Sequence, residues 1–270
     1  MPLTQTHLMG ILNVTPDSFS DGGEFLDPKR AWAHLEEMVR GGAAFVDVGG
    51  ESSRPGAKPV SAEEELGRVE PILVSWSQNP KGILSVDTYK ADVAEVALRY
   101  GASLINDITA LQGDSRMAKV IAASGAGVVL MHMQGTPQTM QENPHYDDLI
   151  GEILRFLEEA MDRAIQAGIS EESVLLDPGI GFGKSVEHNL EILRSLPKFR
   201  TLGRPLVLGT SRKSFIGNLL NRPAEDRLWG TAATVAYAVL HGVEILRVHD
   251  VAEMRQVVRM TEAVCRSSLR

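Results

Sequence analysis

The sequence predicts a closed (β/α)8 barrel, and three observations predict it. Short apolar runs of strand length alternate with longer amphipathic segments along the whole chain. Runs that are apolar on both faces and separated by helices imply parallel βαβ units. Eight such units fit within the 270 residues, close to the roughly 250 residues of a closed barrel. A doubly wound open sheet is the alternative. No linker, charge run or low-complexity segment divides the chain, so residues 1–270 read as one domain.

In chain order the candidate strands are His7–Asn13, Ala44–Gly49, Ile83–Asp87, Ser103–Asp107, Gly127–His132, Val174–Asp177, Pro205–Gly209 and Ile245–His249. The first runs through Leu8, Met9, Gly10, Ile11 and Leu12 before Asn13 ends the apolar run. Helical patterns lie between them at Pro28–Arg40, Ala62–Ser77, Ala91–Tyr100, Ser115–Ser124, Asp147–Ala167, Val186–Leu196 and Glu225–His241, and Val251–Ser267 closes the chain. Gly41, Gly42, Gly101, Gly125 and Gly168 fall at helix ends, where a left-handed residue suits glycine.

Composition narrows the function. A net charge of −8 and a pI near 5.4 disfavour nucleic acid or an anionic membrane as partner. The single cysteine, Cys265, rules out an internal disulfide and fits a reducing cytosol. It lies on a helical pattern four residues after Thr261 and reads as a small buried side chain. No apolar stretch reaches membrane-span length, and the N-terminus lacks the regions of a signal peptide. A cytoplasmic location is the expectation.

The strand ends carry the chemistry. "FVDVGG", "LSVDT", "LINDI", "LLDPG" and "RVHD" each climb through apolar residues to an aspartate. An aspartate often starts a turn or caps a helix. Their recurrence at one end of successive strands points instead to the face where barrel active sites sit. "GIGFGKS" lacks the first glycine of a phosphate loop, because Pro178 stands there, and it reads as a flexible loop that lets backbone approach a ligand. The histidines show no zinc-ligand spacing, and no nucleophile elbow occurs. In "LVLGTSRKSFIG", Ser211, Arg212 and Lys213 are expected to open a helix and form an anion site. "GGESSRPG" sets Ser52, Ser53 and Arg54 in a polar loop after the second strand. "GILNVTPDSFSDGG" follows the first strand with a run too long for a plain turn.

Taken in order with "LMHMQGTPQTMQ", these motifs resemble the dihydropteroate synthase family from residue 8 to about residue 255. The resemblance implies a (β/α)8 barrel, a homodimer and a Mg2+-dependent reaction. That reaction joins 6-hydroxymethyl-7,8-dihydropterin diphosphate to 4-aminobenzoate and releases pyrophosphate. Ser53 stands where the family commonly has threonine, which keeps the hydroxyl. A pterin-dependent methyltransferase and a non-catalytic pterin-binding paralogue are the rivals. "TPDSFSDGG" and "SRKS" argue against the first, and retention of the whole motif set argues against the second.

By this resemblance Asp177 meets the amino and ring N–H groups of the pterin edge, with Asn106 and Lys213 on its remaining polar atoms. Asp87 contacts the dihydropterin ring, Arg247 covers its face, and Met131 and Phe182 pack against it. Asn13, Ser53, Arg247 and His249 form the diphosphate set, with Asn13 also bringing an oxygen to Mg2+. Phe19, Arg54 and Ser211 are implied for aminobenzoate. The catalytic set is then Asn13, Asp87, Lys213, Arg247 and His249. The segment Pro16, Asp17, Ser18 and Phe19 is expected to act as a lid that excludes water.

Overall fold

A computed structural model describes residues 5–15 and 27–265. Eight parallel strands run β1 His7–Asn13, β2 Phe45–Gly49, β3 Ile83–Asp87, β4 Leu104–Asp107, β5 Gly127–Met131, β6 Val174–Asp177, β7 Val207–Leu208 and β8 Ile245–Val248. Their order in the sheet is β6-β5-β4-β3-β2-β1-β8-β7. One bridge, Leu176 to Leu206, brings β6 against the segment leading into β7 and completes the ring. This is the expected (β/α)8 barrel, not the open sheet.

The helices are α1 Pro28–Gly41, α2 Ala62–Gln78, α3 Ala91–Arg99, α4 Met117–Ser124, α5 Leu149–Gln166, α6 Val186–Arg194, α7 Leu196–Phe199, α8 Ser214–Leu220, α9 Leu228–Leu240 and α10 Val251–Cys265. Local chemistry sets their ends. Asp27 caps α1 by accepting from Lys29 N–H, with Pro28 in the first turn and Gly42 left-handed after the last. Cys265 is exposed on the final turn of α10, against the expectation of burial. The apolar stripe of that helix, Val251, Met254 and Val258, faces the barrel at other positions.

Strand periodicity explains how one sequence builds both a core and a site. Alternate residues point to opposite faces, and the outward ones, such as Leu8, Val46, Leu84, Ile105 and Leu130, join the helices in one large core. The inward ones fill the barrel floor: Met9, Phe45, Leu104, Val129, Val207 and Ile245 form a separate apolar cluster. Two residues further along three of these strands, the same inward face turns polar. Phe45 is followed by Asp47, Leu104 by Asn106 and Ile245 by Arg247. The register then sets Asn13 beside Gly49, Gly49 beside Asp87, Asp87 beside Asn106, and Met131 beside Asp177.

Two elements beside the mouth differ from the sequence reading. The seventh strand is cut to Val207–Leu208 because Pro205 has no N–H to give the ladder, and Leu206 N–H goes to the Glu244 carboxylate at 2.9 Å. The helix expected to open at Ser211 begins at Ser214. Arg212 is left-handed, with φ of 56°, a conformation no right-handed helix accepts. Its N–H is held by Thr231 Oγ1 at 3.1 Å and its guanidinium by both oxygens of Asp250. The anion site expected from free N–H groups at Ser211 is therefore not built that way.

Candidate active site

At the C-terminal mouth of the barrel, three side-chain groups come together. The first centres on Asp47, a carboxylate with 0% exposure on β2. It accepts from Ser85 Oγ at 2.5 Å, Asn106 Nδ2 at 3.0 Å and Arg247 Nε at 2.6 Å. Arg247 reaches on through Nη2 to Asp87 Oδ2 at 2.7 Å. With five N–H donors in a guanidinium, Arg247 keeps donors in reserve after both bonds. Asp47 was visible in the sequence only as one of the strand-end aspartates. The signal that singles it out is its period-two relation to Phe45, which places it inside the barrel.

The second group forms an apolar wall. Met131, Phe182, Ile108 and Met140 pack together, and the Lys213 ammonium lies 4.1 Å from the centre of the Phe182 ring, a cation–π contact. Asp177, at the end of β6, borders this wall and accepts Gly179 N–H on Oδ1 at 2.7 Å. Among the described residues no other hydrogen bond reaches its carboxylate. Gly179, Gly181 and Gly183 all have positive φ, at 73°, 83° and 66°. A Cβ on Gly179 would lie 1.8 Å from the His132 carbonyl oxygen. Gly179 and Gly183 let the loop pack closely on the residues just after β5, and Gly181 lies against Lys213.

In the third group the Ser211 hydroxyl accepts His249 N–H at 3.1 Å and lies 3.0 Å from His249 Nδ1. With the hydroxyl proton turned to Nδ1, the ring proton sits on Nε2. Burial, reinforced by the Arg247 charge, pushes the His249 pKa down to about 3. His249 is therefore a neutral donor at physiological pH. Arg54 is exposed in the loop after β2, yet its charge also acts on His249. Ser53 is half-buried in the same loop. Phe19 and the proposed lid lie outside the described residues.

The mouth sorts the remaining strand-end aspartates. Asp107 is buried, but it caps its own turn, accepting Thr109 N–H at 2.8 Å and Leu111 N–H at 2.9 Å. For Asp107 the turn reading holds, and Asp250 serves Arg212. The others carry charge into a buried setting. Burial raises the Asp177 pKa. It pushes Asp87 up to about 7 against the pull of Arg247. It pushes Lys213 down to about 8, with Arg247 acting in the same direction.

No group of three or more acidic, histidine or cysteine side chains suited to a metal occurs among the described residues. A Mg2+ ion carried by a substrate would not need one, since it keeps several waters around one or two protein ligands. Asn13 ends β1, with its Oδ1 3.8 Å from where a Cβ on neighbouring Gly49 would lie.

A parallel barrel whose mouth sets buried carboxylates beside an apolar wall and two cations is a barrel enzyme by class, and the pterin binding enzyme family matches residues 9–249. Dihydropteroate synthase of Escherichia coli is 47% identical over 97% of this chain and 93% of its own. That of Synechocystis sp. is 46% identical over 97% and 91%. The Yersinia pestis dihydropteroate synthase solved with a sulfonamide drug superposes with a TM-score of 0.94, at 45% identity over 98% of this chain and 96% of that one. The Xanthomonas albilineans enzyme in complex with 7,8-dihydropteroate superposes at 0.89, with 39% identity over 99% and 97%. The chain belongs to the dihydropteroate synthase family.

Proposed function

We propose that this protein condenses 6-hydroxymethyl-7,8-dihydropterin diphosphate with 4-aminobenzoate to give 7,8-dihydropteroate and pyrophosphate. The observation that carries the reading is the union, at one barrel mouth, of a pterin-edge carboxylate at Asp177 with anion donors at Arg247 and His249. In this reading residues 1–270 act as one domain. Asp177 takes two parallel hydrogen bonds from the pterin amino and ring N–H groups, each a charge-assisted bond contributing about 1.5–3 kcal/mol. Asn106 turns one amide N–H to Asp47 and so offers its oxygen to the ring. Lys213 donates to the pterin carbonyl side, Phe182 and Met131 wall the ring, Asp87 meets its edge, and Arg247 covers its face.

The chemistry breaks the C–O bond at the methylene carbon, and the bonding electrons leave with pyrophosphate. The electron-rich dihydropterin stabilises positive charge on that carbon, and the neutral arylamine nitrogen bonds to it and then loses its proton. No strong general base is required. The demand falls on charge gathering at the leaving oxygens, where fixed donors act most strongly. Arg247, Ser53 and the Nε2–H of His249 supply these. Asn13 would hold Mg2+, which supplies further positive charge to the diphosphate when bound. Arg54, Ser211 and Phe19 would receive aminobenzoate, with Ser211 also orienting His249. We take the enzyme to be a cytoplasmic homodimer. Trp229 (79% exposed), Leu219 and Met260, large apolar side chains on α9, α8 and α10, support self-association.

The test is pyrophosphate release measured with both substrates and with each omitted. Release is expected only with both, together with dihydropteroate. Binding of the pterin without turnover would favour a non-catalytic protein. Chelation of divalent cations is expected to stop release while leaving the pterin alcohol bound, as measured by calorimetry.

The shifted groups also predict a pH profile. Below about 7, Asp87 takes a proton and loses its hold on Arg247 and the ring. Above about 8, Lys213 loses its charge. The kcat/KM for the pterin diphosphate is expected to rise through the first value and fall through the second. In Asp87→Asn the residual rate should lose the acid limb and keep the alkaline one. An unchanged acid limb would assign that titration elsewhere.

A further inference from the structure

Behind the pterin wall lies a cation that none of these roles uses. Lys184 is only 2% exposed. Its ammonium donates to the Phe182 carbonyl at 2.8 Å and to His132 Nδ1 at 2.9 Å, and it lies 3.4 Å from the His132 carbonyl. A lysine ammonium only donates, so His132 Nδ1 accepts and the imidazole is neutral. The His132 ring is boxed in by Phe156, 4.8 Å away edge-on, and by Tyr146 at 6.0 Å. Lysine is rarely buried without a charge partner. Here the carboxylate whose field it feels is Asp177.

The contacts run directly to the pterin groups. A Cβ on Gly179 would lie 3.4 Å from Lys184 Nζ, so the ammonium stands against the residue whose N–H holds Asp177 Oδ1. The Phe182 carbonyl it binds belongs to the residue whose ring meets Lys213. His132 follows the last residue of β5, where Met131 contributes to the same wall. Lys184 thus binds the backbone of Phe182, stands against Gly179 and holds His132, the neighbour of Met131, from behind the pocket.

We infer that Lys184 is a positioning residue of the pterin pocket, fixing the loop from Gly179 to Gly183 on the end of β5 and providing counter-charge to Asp177. The groups it orders hold the pterin in the ground state and the transition state alike. Their loss should raise KM for the pterin diphosphate and change kcat little.

The inference rests on the pterin reading, and its test separates the two. Lys184→Met removes donor and charge, and Lys184→Gln restores a donor to the Phe182 carbonyl without charge. Calorimetry with the pterin alcohol is expected to show affinity at least tenfold weaker in Lys184→Met and partly recovered in Lys184→Gln. KM for the pterin diphosphate should rise in step, and KM for aminobenzoate should stay within about twofold. A folded Lys184→Met protein with a lowered Tm but wild-type pterin affinity would make the residue merely structural and overturn the inference. Should neither variant fold, wild-type protein labelled with 15N-lysine supplies the readout. The buried Nζ signal must move on adding the pterin alcohol and stay on adding aminobenzoate, and a signal indifferent to the pterin overturns the inference. Wild-type protein that fails to bind the pterin alcohol would instead refute the pterin reading itself.

Discussion

Asp47→Ala is expected to destabilise the barrel by about 3–5 kcal/mol, the usual consequence of removing one partner of a buried ion pair, and to remove most of the turnover. Asp47 is wholly buried and gathers donors from three strands: Ser85 on β3, Asn106 on β4 and Arg247 on β8. Without it the Arg247 cation keeps only Asp87, and two further donors are left without their acceptor. Asp47→Asn preserves volume but offers an N–H where all three neighbours donate, so it should restore little. Urea unfolding reads the stability and kcat/KM reads the site. Asp107→Ala is the control, since Asp107 is equally buried but serves only its own turn. It should lose stability and keep pterin affinity. If Asp47→Ala matched it in keeping that affinity, Asp47 would be a fold residue and no organiser of the site.

The contrast between Asp47 and Asp107 also shows what was legible in the sequence. Both lie near the ends of apolar runs, and a pattern of strand-end aspartates cannot part them. Inward or outward facing parts them, and that depends on counting in twos from a residue known to be in the barrel. The strands at His7–Asn13, Ile83–Asp87 and Val174–Asp177 have the bounds read from sequence, because an apolar run bounded by polar residues is a local signal. The seventh strand and the helix after it were misread because their ends depend on distant partners. Glu244 takes the N–H of Leu206, and Asp250 and Thr231 hold Arg212 in a left-handed turn. Lys184 was passed over for a related reason. A lysine after glycines reads as a loop residue until the fold sets it behind His132.

Two substitutions at the mouth should separate pterin recognition from departure of the leaving group. Asp177→Asn turns a pair of acceptors into one acceptor and one donor, the latter facing a donor on the pterin edge. Gly179 N–H already claims Oδ1, so rotating the amide relieves one clash by making another. At least one charge-assisted bond is lost, about 1.5–3 kcal/mol, or roughly tenfold to a hundredfold or more in pterin affinity. His249→Ala acts elsewhere. Ser211 holds the imidazole by Nδ1, and burial keeps it neutral down to a pH of about 3. Its Nε2–H is thus available to charge that exists only on the diphosphate and grows as pyrophosphate departs. This variant should bind the pterin alcohol as the wild type does, and its kcat should fall by about 10²–10³, the typical loss for one such donor. Calorimetry with the alcohol and steady-state rates with the diphosphate give both quantities for each variant. The two roles are distinct only if the losses are. Should His249→Ala weaken the alcohol as much as Asp177→Asn does, His249 belongs to the pterin pocket, and the departing charge is met by Arg247, Ser53 and the Mg2+ that Asn13 would hold.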